Sequence, residues 1–197
     1  RLGRPKFKIN APNVILGSPD CHSFIGYYDI QPFNGDNTKL LAATCPSTHN
    51  GRAMDMQLNI GYFDLRTHEY NKIGSTSLWN WQMGCRLQWI KWHGKELVLY
   101  NDLIDSQPKT ILCDPTTGQV QKVLPLPTYA ISSDAKQIIS LDFDNLECRR
   151  SGYGYDWKGE KVESNESSLT RYNVKEGNEK VVVTTRRSEE HTSELQS

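Results

Sequence analysis

The sequence lacks an excess of charge of one sign. It holds 23 basic and 23 acidic residues, so its formal net charge at neutral pH is zero. Nucleic acids and anionic membranes usually select proteins with a basic excess or a clustered basic face. We therefore expect neither a nucleic-acid partner nor a membrane-surface partner.

Long apolar runs are also missing. Those present are short, as at residues 97–100 and 181–183, whereas a membrane-spanning helix needs about 20 apolar residues. We therefore expect no membrane segment. Because the sequence begins with Arg1 rather than Met, the lack of a signal peptide says little about the compartment of the protein.

The sequence contains few cysteines, and their spacing does not suggest pairs. The five cysteines are widely spaced, without a Cys-x-x-Cys pair. An odd number on a chain of this size favours free thiols or packing residues over a disulfide framework. This pattern favours a reducing compartment such as the cytoplasm, although the compartment itself stays open.

Several catalytic motifs are absent. The sequence contains no nucleotide-binding loop, zincin helix, nucleophile elbow or zinc-knuckle spacing. Each of these motifs places particular residues at a fixed spacing for its chemistry. Their absence disfavours the corresponding enzyme classes.

Short alternating or aromatic-rich runs take the place of helical periodicity, and they recur between Gly, Pro, Asn and Asp clusters. Such runs are typical of antiparallel strands. The predicted strands are residues 26–31, 39–44, 57–64, 69–75, 86–91, 97–101, 110–113, 120–124, 129–131, 137–142, 168–172 and 180–184. The predicted class is all-β.

The twelve predicted strands form three sets of four. The second hairpin of each set repeats an apolar residue, then Asp64, Asp114 or Asn173, then a polar turn. This repeat is typical of propeller blades, which must stack around an axis to bury both faces. We predict a partial β-propeller of about three four-stranded antiparallel blades, at about 22–78, 79–126 and 127–186. A generic sandwich is the alternative.

Two features indicate a longer natural protein. Three blades cannot close a ring, and residues 187–197 show no hydrophobic period and resemble a translated sequencing adapter. We therefore expect residues 187–197 to be a non-native tail. We also expect surface loops at 50–56 and, as a flexible one, at 155–166.

The connection into the second predicted blade is rich in indole and amide groups. Trp79 and Trp81 flank Asn80, and Gln82 follows. Flat apolar faces beside neutral hydrogen-bonding groups suit a sugar ring. Core packing is the alternative, and we favour it for at least one of the two tryptophans.

The connection into the first predicted blade carries a histidine. His22 precedes Tyr27, Tyr28 and Asp29. A histidine near a carboxylate and phenols could ligate a metal or act as a catalytic base. A hydrogen-bonded structural histidine is the alternative.

A third candidate group follows the second strand of the third blade. Arg149 and Arg150 precede Tyr153 and Tyr155, which alternate with Gly152 and Gly154. Guanidinium groups pair bidentately with planar anions, so this group suits a ligand carboxylate or phosphate. A solvated loop tip is the alternative.

Three further residues complete the predicted binding set. Tyr129 lies on the connection into the third blade, where we expect it to form a stacking surface. Asn101 and Asp102 close the second strand of the second blade. Connections into the innermost strands, such as the one that holds Tyr129, meet at the central axis of a propeller, where ligands bind.

Cys21-His22, Tyr27-Tyr28, and Phe33 ahead of the turn at 35–39 resemble the opening blade of oligogalacturonate lyases and related TolB-like or WD40-like bacterial propellers. Over nearly the whole chain to residue 186, the sequence is also similar to poorly characterised bacterial propellers of polysaccharide gene clusters. That likeness rests on Gly-Tyr-Tyr-Asp, Trp-Asn-Trp-Gln-x-Gly, Tyr-Asn-Asp and Ser-Gly-Tyr-Gly-Tyr at 26–29, 79–84, 100–102 and 151–155.

The resemblance to the lyases implies a metal-assisted reaction. In those enzymes histidines and a glutamine hold a divalent cation that neutralises the uronate carboxylate and eases β-elimination. Only His22 and Gln82 match here, so the implied cofactor, Mn or Ca, would need further ligands.

We therefore predict a carbohydrate-active propeller, in one version a metal-assisted lyase of acidic oligo- or polysaccharides with His22 as ligand or base. A non-catalytic module that binds a glycan or a protein is the alternative. The expected ligand is a carbohydrate or small molecule, and the oligomeric state stays open. The predicted substrate-binding residues are Tyr28, Asp29, Trp79, Trp81, Gln82, Asn101, Asp102, Tyr129, Arg150, Tyr153 and Tyr155.

Overall fold

The fold consists of three four-stranded antiparallel sheets that follow one another along the chain. A computed structural model describes residues 11–157 and 164–186. The first sheet contains β1 (Cys21–Phe24), β2 (Lys39–Pro46), β3 (Leu58–Asp64) and β4 (Tyr70–Thr76). The second contains β5 (Gln88–Trp92), β6 (Lys95–Ile104), β7 (Gln107–Cys113) and β8 (Val120–Leu124). The third contains β9 (Ala130–Ile131), β10 (Gln137–Leu141), β11 (Glu166–Asn173) and β12 (Asn178–Arg186).

Each sheet is a meander in which consecutive strands are neighbours. This is the arrangement of a propeller blade, and the prediction of an all-β partial propeller with three four-stranded blades is confirmed. The blade limits at 78 and 126 stay a prediction, and the expected tail at 187–197 lies outside the described residues.

The outer hairpin of each sheet is built by one repeated side-chain cap. Asp64 Oδ1 accepts hydrogen bonds from the amides of residues 66 and 67 at 2.8 and 3.3 Å. Asp114 caps residues 116 and 117 in the same way, and Asn173 caps residues 175 and 176. A short Asx side chain is suited to this cap because it reaches the backbone two or three residues further on.

The turn that follows this cap needs a residue with positive φ. Gly118 and Gly177 supply it with φ of 70° and 71°, whereas the first sheet uses His68 with φ of 62°. Each donates its amide to the carbonyl of the capping residue. A side chain is disfavoured there, so glycine fits the second and third hairpins better than histidine fits the first.

Two apolar layers lie between the sheets. The first and second sheets bury one layer that includes Ile60, Cys85 and Val98. The second and third bury another, which includes Leu99 and Ile138. The middle sheet is therefore covered on both faces, as expected for stacked blades.

The first strand lies earlier than the sequence predicts. Residues 26–31 are expected to form a strand, but β1 occupies Cys21–Phe24 and the Ile30 amide closes a turn on the Tyr27 carbonyl. Gly26, with φ of 86°, lies in this segment. The aromatic residues that suggest a strand lie in a turn, because the positive φ of Gly26 is incompatible with extended backbone.

A short helix was not predicted. Asp142 is the N-cap of helix α1 (Phe143–Arg149), and its side chain accepts a hydrogen bond from the Asn145 amide. Seven residues are too few to show helical periodicity. A single 3-10 turn (Ala53–Asp55) also interrupts the expected surface loop at 50–56.

A surface loop is expected at 155–166, but its first residue is not at the surface. Tyr155 is buried and its ring stacks on Phe143 of α1 with centroids 4.6 Å apart. Residues 158–163 lie outside the described part. Within the described residues, no helix has the length and apolarity needed to cross a bilayer.

Candidate functional site

The candidate site lies at one end of the sheets, where β4, β8 and β10 finish. The chain then continues through the connections at 77–87, 125–129 and 142–165. Because neighbouring strands are antiparallel, these connections share one edge of the stacked sheets with the connection at 47–57. The fold thereby brings segments from all three sheets together.

An aromatic cluster occupies the first part of this end. The rings of Trp79 and Trp81 meet edge to face with centroids 4.9 Å apart. His49 stacks on Trp81 at 5.7 Å, and His22 meets the same indole edge-on at 5.8 Å. Such pairs hold the rings in fixed orientations.

The two tryptophans have different environments. Trp79 is 2% exposed, and its indole nitrogen donates to the Met56 carbonyl at 2.8 Å. Trp81 is 43% exposed, and its nitrogen donates to the Gly51 carbonyl at 3.0 Å. Trp79 therefore packs in the core, whereas Trp81 offers an indole to solvent.

A cavity of about 180 Å³ lies beside Trp81. Arg52 and Asp156 form an ion pair of 2.6 Å among its lining residues. The hydrogen bond that Arg52 donates to Asp156 raises the pKa of Arg52 above its ordinary value. Ser151 adds a hydroxyl to the lining. The cavity thus combines an apolar ring with charged and neutral polar groups.

Glu147 holds one wall of this cavity, and sequence reasoning missed it. Its buried carboxylate accepts from the Ser151 hydroxyl at 2.8 Å and from the amides of Gly152 and Gly154 at 2.7 and 3.2 Å. The sequence signal for this role is an acidic residue shortly before the Gly-x-Gly segment at 152–154. The backbone amides of that segment need a hydrogen-bond acceptor.

Asn80 connects this wall to the second sheet. Its side-chain amide donates to the Gly154 carbonyl at 2.6 Å, and its oxygen accepts the amides of Gln82 and Met83. The turn that presents Trp81 is therefore fixed to the segment that lines the cavity.

A second group surrounds a buried arginine. Arg86 donates to both carboxylate oxygens of Asp29, at 3.1 and 2.9 Å. The Tyr129 ring covers the guanidinium, with 4.5 Å from its carbon to the ring centroid. Two predicted residues, Asp29 and Tyr129, are thus brought together by Arg86, which was not predicted.

Half-buried Tyr27 and exposed Tyr28 directly precede Asp29 in the chain. The rings of Tyr27 and Tyr28 lie 4.2 Å apart. Their hydrogen bond, followed by burial, raises the pKa of Tyr27 above its ordinary value, while the hydrogen bond with Gln82 and the charge of Arg150 act in the opposite direction. Tyr28 and Gln82 thus both lie within hydrogen-bonding reach of Tyr27.

Arg150 has one aromatic partner of its own. Its guanidinium lies over the Tyr153 ring at 4.2 Å and donates to the Tyr153 hydroxyl at 3.4 Å. Arg150 is exposed, so its guanidinium stacks on a ring and still faces solvent. This arrangement leaves a planar cation available to an anion.

Asn101 and Tyr155 are buried rather than exposed in the site. Asn101 donates to the Thr128 carbonyl and to the Tyr155 hydroxyl, each at 2.9 Å, and accepts from the Thr110 hydroxyl and the Thr128 amide. All its hydrogen-bonding groups are used internally, and burial raises the pKa of Tyr155. Substrate contact by these residues stays a prediction.

Asp102 also serves internal contacts. Its carboxylate accepts from the Thr76 hydroxyl at 2.7 Å and from the amides of Ser77 and Leu103. These bonds tie the end of β4 to β6. The sequence signal for Asp102, its place at a strand end, thus corresponds to a contact between the first two sheets.

The described residues do not fit a metal centre. Within 11–157 and 164–186, no three His, Cys, Asp or Glu side chains lie close enough to hold an ion. Zinc sites in proteins use three or four protein ligands. His22 and Gln82 therefore lack a complete set of ligands here.

The fold and the site together define the class of this protein as a β-propeller portion with an aromatic and polar face. No protein-family model matches the sequence, and the comparison with curated proteins gives no match. Among solved structures, the chain is similar to an oligogalacturonate lyase in complex with manganese, with 16% identity and a TM-score of 0.57 over 87% of this chain and 43% of that one. It is also similar to TolB from Acinetobacter baumannii, with 18% identity and a TM-score of 0.48 over 88% of this chain and 35% of that one.

The chain spans less than half the length of either of these proteins. At 16% identity the likeness to the lyase concerns the fold alone, and it supports the propeller architecture. The chemistry of the site depends on its own residues and not on the fold.

Proposed function

We propose that this face of the propeller binds carbohydrate, with Trp81 as the stacking surface. The observation that carries the proposal is the half-exposed indole of Trp81, held in place by the Gly51 carbonyl and the His49 ring beside a cavity. A sugar ring presents an apolar face that stacks on such an indole and hydroxyl groups that need polar partners.

The groups around Trp81 supply those polar partners. The Arg52–Asp156 pair offers a donor and an acceptor, and Ser151 offers a hydroxyl. Few side chains need to move, because Glu147 and Asn80 already fix the wall. A preformed site avoids the entropic cost of ordering these groups on binding.

An acidic sugar is the preferred ligand class. Arg150 presents its guanidinium at the surface near Tyr27. A guanidinium pairs with a carboxylate more strongly than with a hydroxyl, because both bonds are charge-assisted. Uronic acids combine the stacking face with this carboxylate.

The test compares binding of trigalacturonic acid with binding of a neutral galactose trimer, followed by tryptophan fluorescence and calorimetry. Trp81→Ala should weaken binding by about two- to twelvefold, since an aromatic stacking contact contributes roughly 0.5–1.5 kcal/mol. Trp81→Phe should retain most of it. Trp92→Ala on β5, which lies outside the cavity lining, is the matched control. Equal affinity of wild type and Trp81→Ala would contradict the proposal.

A lyase is the second candidate, favoured by the exposed His22 imidazole in contact with Trp81 and by the fold similarity to an oligogalacturonate lyase. His22 would accept the proton next to the uronate carboxylate while the glycosidic oxygen leaves, which forms a ring double bond. The ultraviolet absorbance of the unsaturated product reports cleavage of trigalacturonic acid. His22→Ala should abolish it, and absence of product from wild type with and without added manganese would remove this candidate.

A further inference from the structure

Arg86 is a buried arginine that the protein satisfies incompletely. Its side chain is 3% exposed, and its two terminal nitrogens donate to Asp29. Its Nε lies buried without a hydrogen-bond partner among the described residues. A guanidinium has five N–H donors, and buried donors are normally paired.

The surroundings of Arg86 hold its guanidinium in a fixed plane. Tyr129 covers one face at 4.5 Å. The guanidinium therefore presents its fork in one direction, toward Asp29. This fork is the geometry that binds a carboxylate bidentately.

Asp29 differs from its partner in exposure. Its side chain is 40% exposed, and it lies in the turn that follows Gly26. The pair is therefore buried at the cation and open to solvent at the anion. Asp29 is thus the member of the pair that solvent reaches.

The charge of Arg86 favours replacement of Asp29 by another carboxylate over loss of Asp29 without a replacement. A buried guanidinium without a counter-ion is strongly unfavourable. One carboxylate can replace another at the fork without leaving that charge uncompensated. The acidic group that neutralises Arg86 must be kept, but it need not belong to Asp29.

We infer that Arg86 is a carboxylate-binding residue of this face, and that Asp29 occupies its fork until a ligand carboxylate replaces it. This rests on the proposed function, because it assigns a second receptor, in addition to Arg150, to the acid groups of the proposed sugar. It adds a ligand-binding residue just before β5, the first strand of the second sheet, and makes Asp29 an internal competitor. The site accepts a small ligand that bears a carboxylate.

The test uses Asp29→Asn, which keeps the shape of Asp29 and removes its charge. The probes are D-galacturonate and D-galactose, with affinity measured by calorimetry. Galacturonate should bind Asp29→Asn about tenfold more tightly than wild type, because its competitor is weakened. Galactose affinity should not change. Adding Arg86→Lys, which keeps the charge but removes the fork, should abolish the gain.

A second measurement needs no variant and covers the case in which Asp29→Asn does not fold. The proton–nitrogen NMR signal of Arg86 Nε should move when galacturonate is added to wild type and stay in place with galactose. An unmoved signal, or equal galacturonate affinity of wild type and Asp29→Asn, would show that the pair only fastens the turn to the second sheet. Equally tight binding of inorganic phosphate would overturn the assignment to a carboxylate.

This inference and the proposed function can fail separately. If Trp81→Ala weakens binding of both sugars while Asp29→Asn changes nothing, the sugar site stands and Arg86 is structural. If galacturonate gains affinity in Asp29→Asn regardless of Trp81, the carboxylate site stands and stacking on Trp81 is wrong.

Discussion

Two cysteines in the layer between the first and second sheets show how burial changes a single group. Cys85 and Cys113 lie among apolar side chains and are almost fully inaccessible. Burial raises the pKa of each thiol from 9.0 to about 12. Both thiols therefore stay protonated in the folded protein at pH values where the unfolded chain ionises them.

This difference predicts a loss of stability at high pH. The contribution of the two thiols is fully present below pH 9 and is lost as the pH rises from 9 toward 12. The slope approaches about 1.4 kcal/mol per pH unit for each thiol. Tyr70, whose pKa burial raises to about 12, adds to the loss. Urea unfolding at a series of pH values measures it.

Matched variants identify the source of the slope. Replacing Cys85 and Cys113 together by Ala should flatten the loss above pH 9. Replacing Cys21, which is exposed, should leave it unchanged. A slope that is the same in all three proteins would show that other groups cause the alkaline loss.

At the scale of elements, helix α1 and the segment that follows it form one unit. Gly154 is buried against the helix, and a β-carbon there would collide with the Phe143 carbonyl and the Glu147 amide. Glu147 accepts the Gly154 amide on the same side. The close approach of two backbones requires glycine at this position.

Gly154→Ala should therefore destabilise the protein by about 1–3 kcal/mol, the usual cost of overpacking, and should weaken sugar binding by moving the wall of the cavity. Chemical denaturation and calorimetry measure the two effects. Gly35→Ala is the control, since its β-carbon would meet only a Glu96 carboxylate oxygen at 3.2 Å. Equal stability of both variants would show that the segment adjusts without cost.

At the scale of the whole molecule, the three sheets are not equally covered. The middle sheet packs on both neighbours. The third sheet carries Val181, Val182 and Val183 on its edge strand β12, each about half exposed. An apolar edge strand is a site for association with another chain.

We therefore expect this chain to be poorly soluble and to self-associate with rising concentration. Val181→Lys with Val183→Lys should reduce association, because charges on an edge strand oppose pairing. The same change at Val120 and Val123 on β8, an edge strand with two exposed valines instead of three consecutive ones, should have a smaller effect. Light scattering after size-exclusion chromatography measures the mass. A monodisperse monomer with one cooperative unfolding transition would contradict this prediction.

Local chemistry is enough to predict the repeated turns of this protein from its sequence. The caps at Asp64, Asp114 and Asn173 act within three residues of chain, so their turns can be predicted from local chemistry. The tertiary structure alone decided which side chains meet. Asp29 and Arg86 are 57 residues apart, and their pairing depends on how the sheets stack. The same stacking buries Trp79 and leaves Trp81 exposed, because burial depends on the neighbouring elements and not on the residue type.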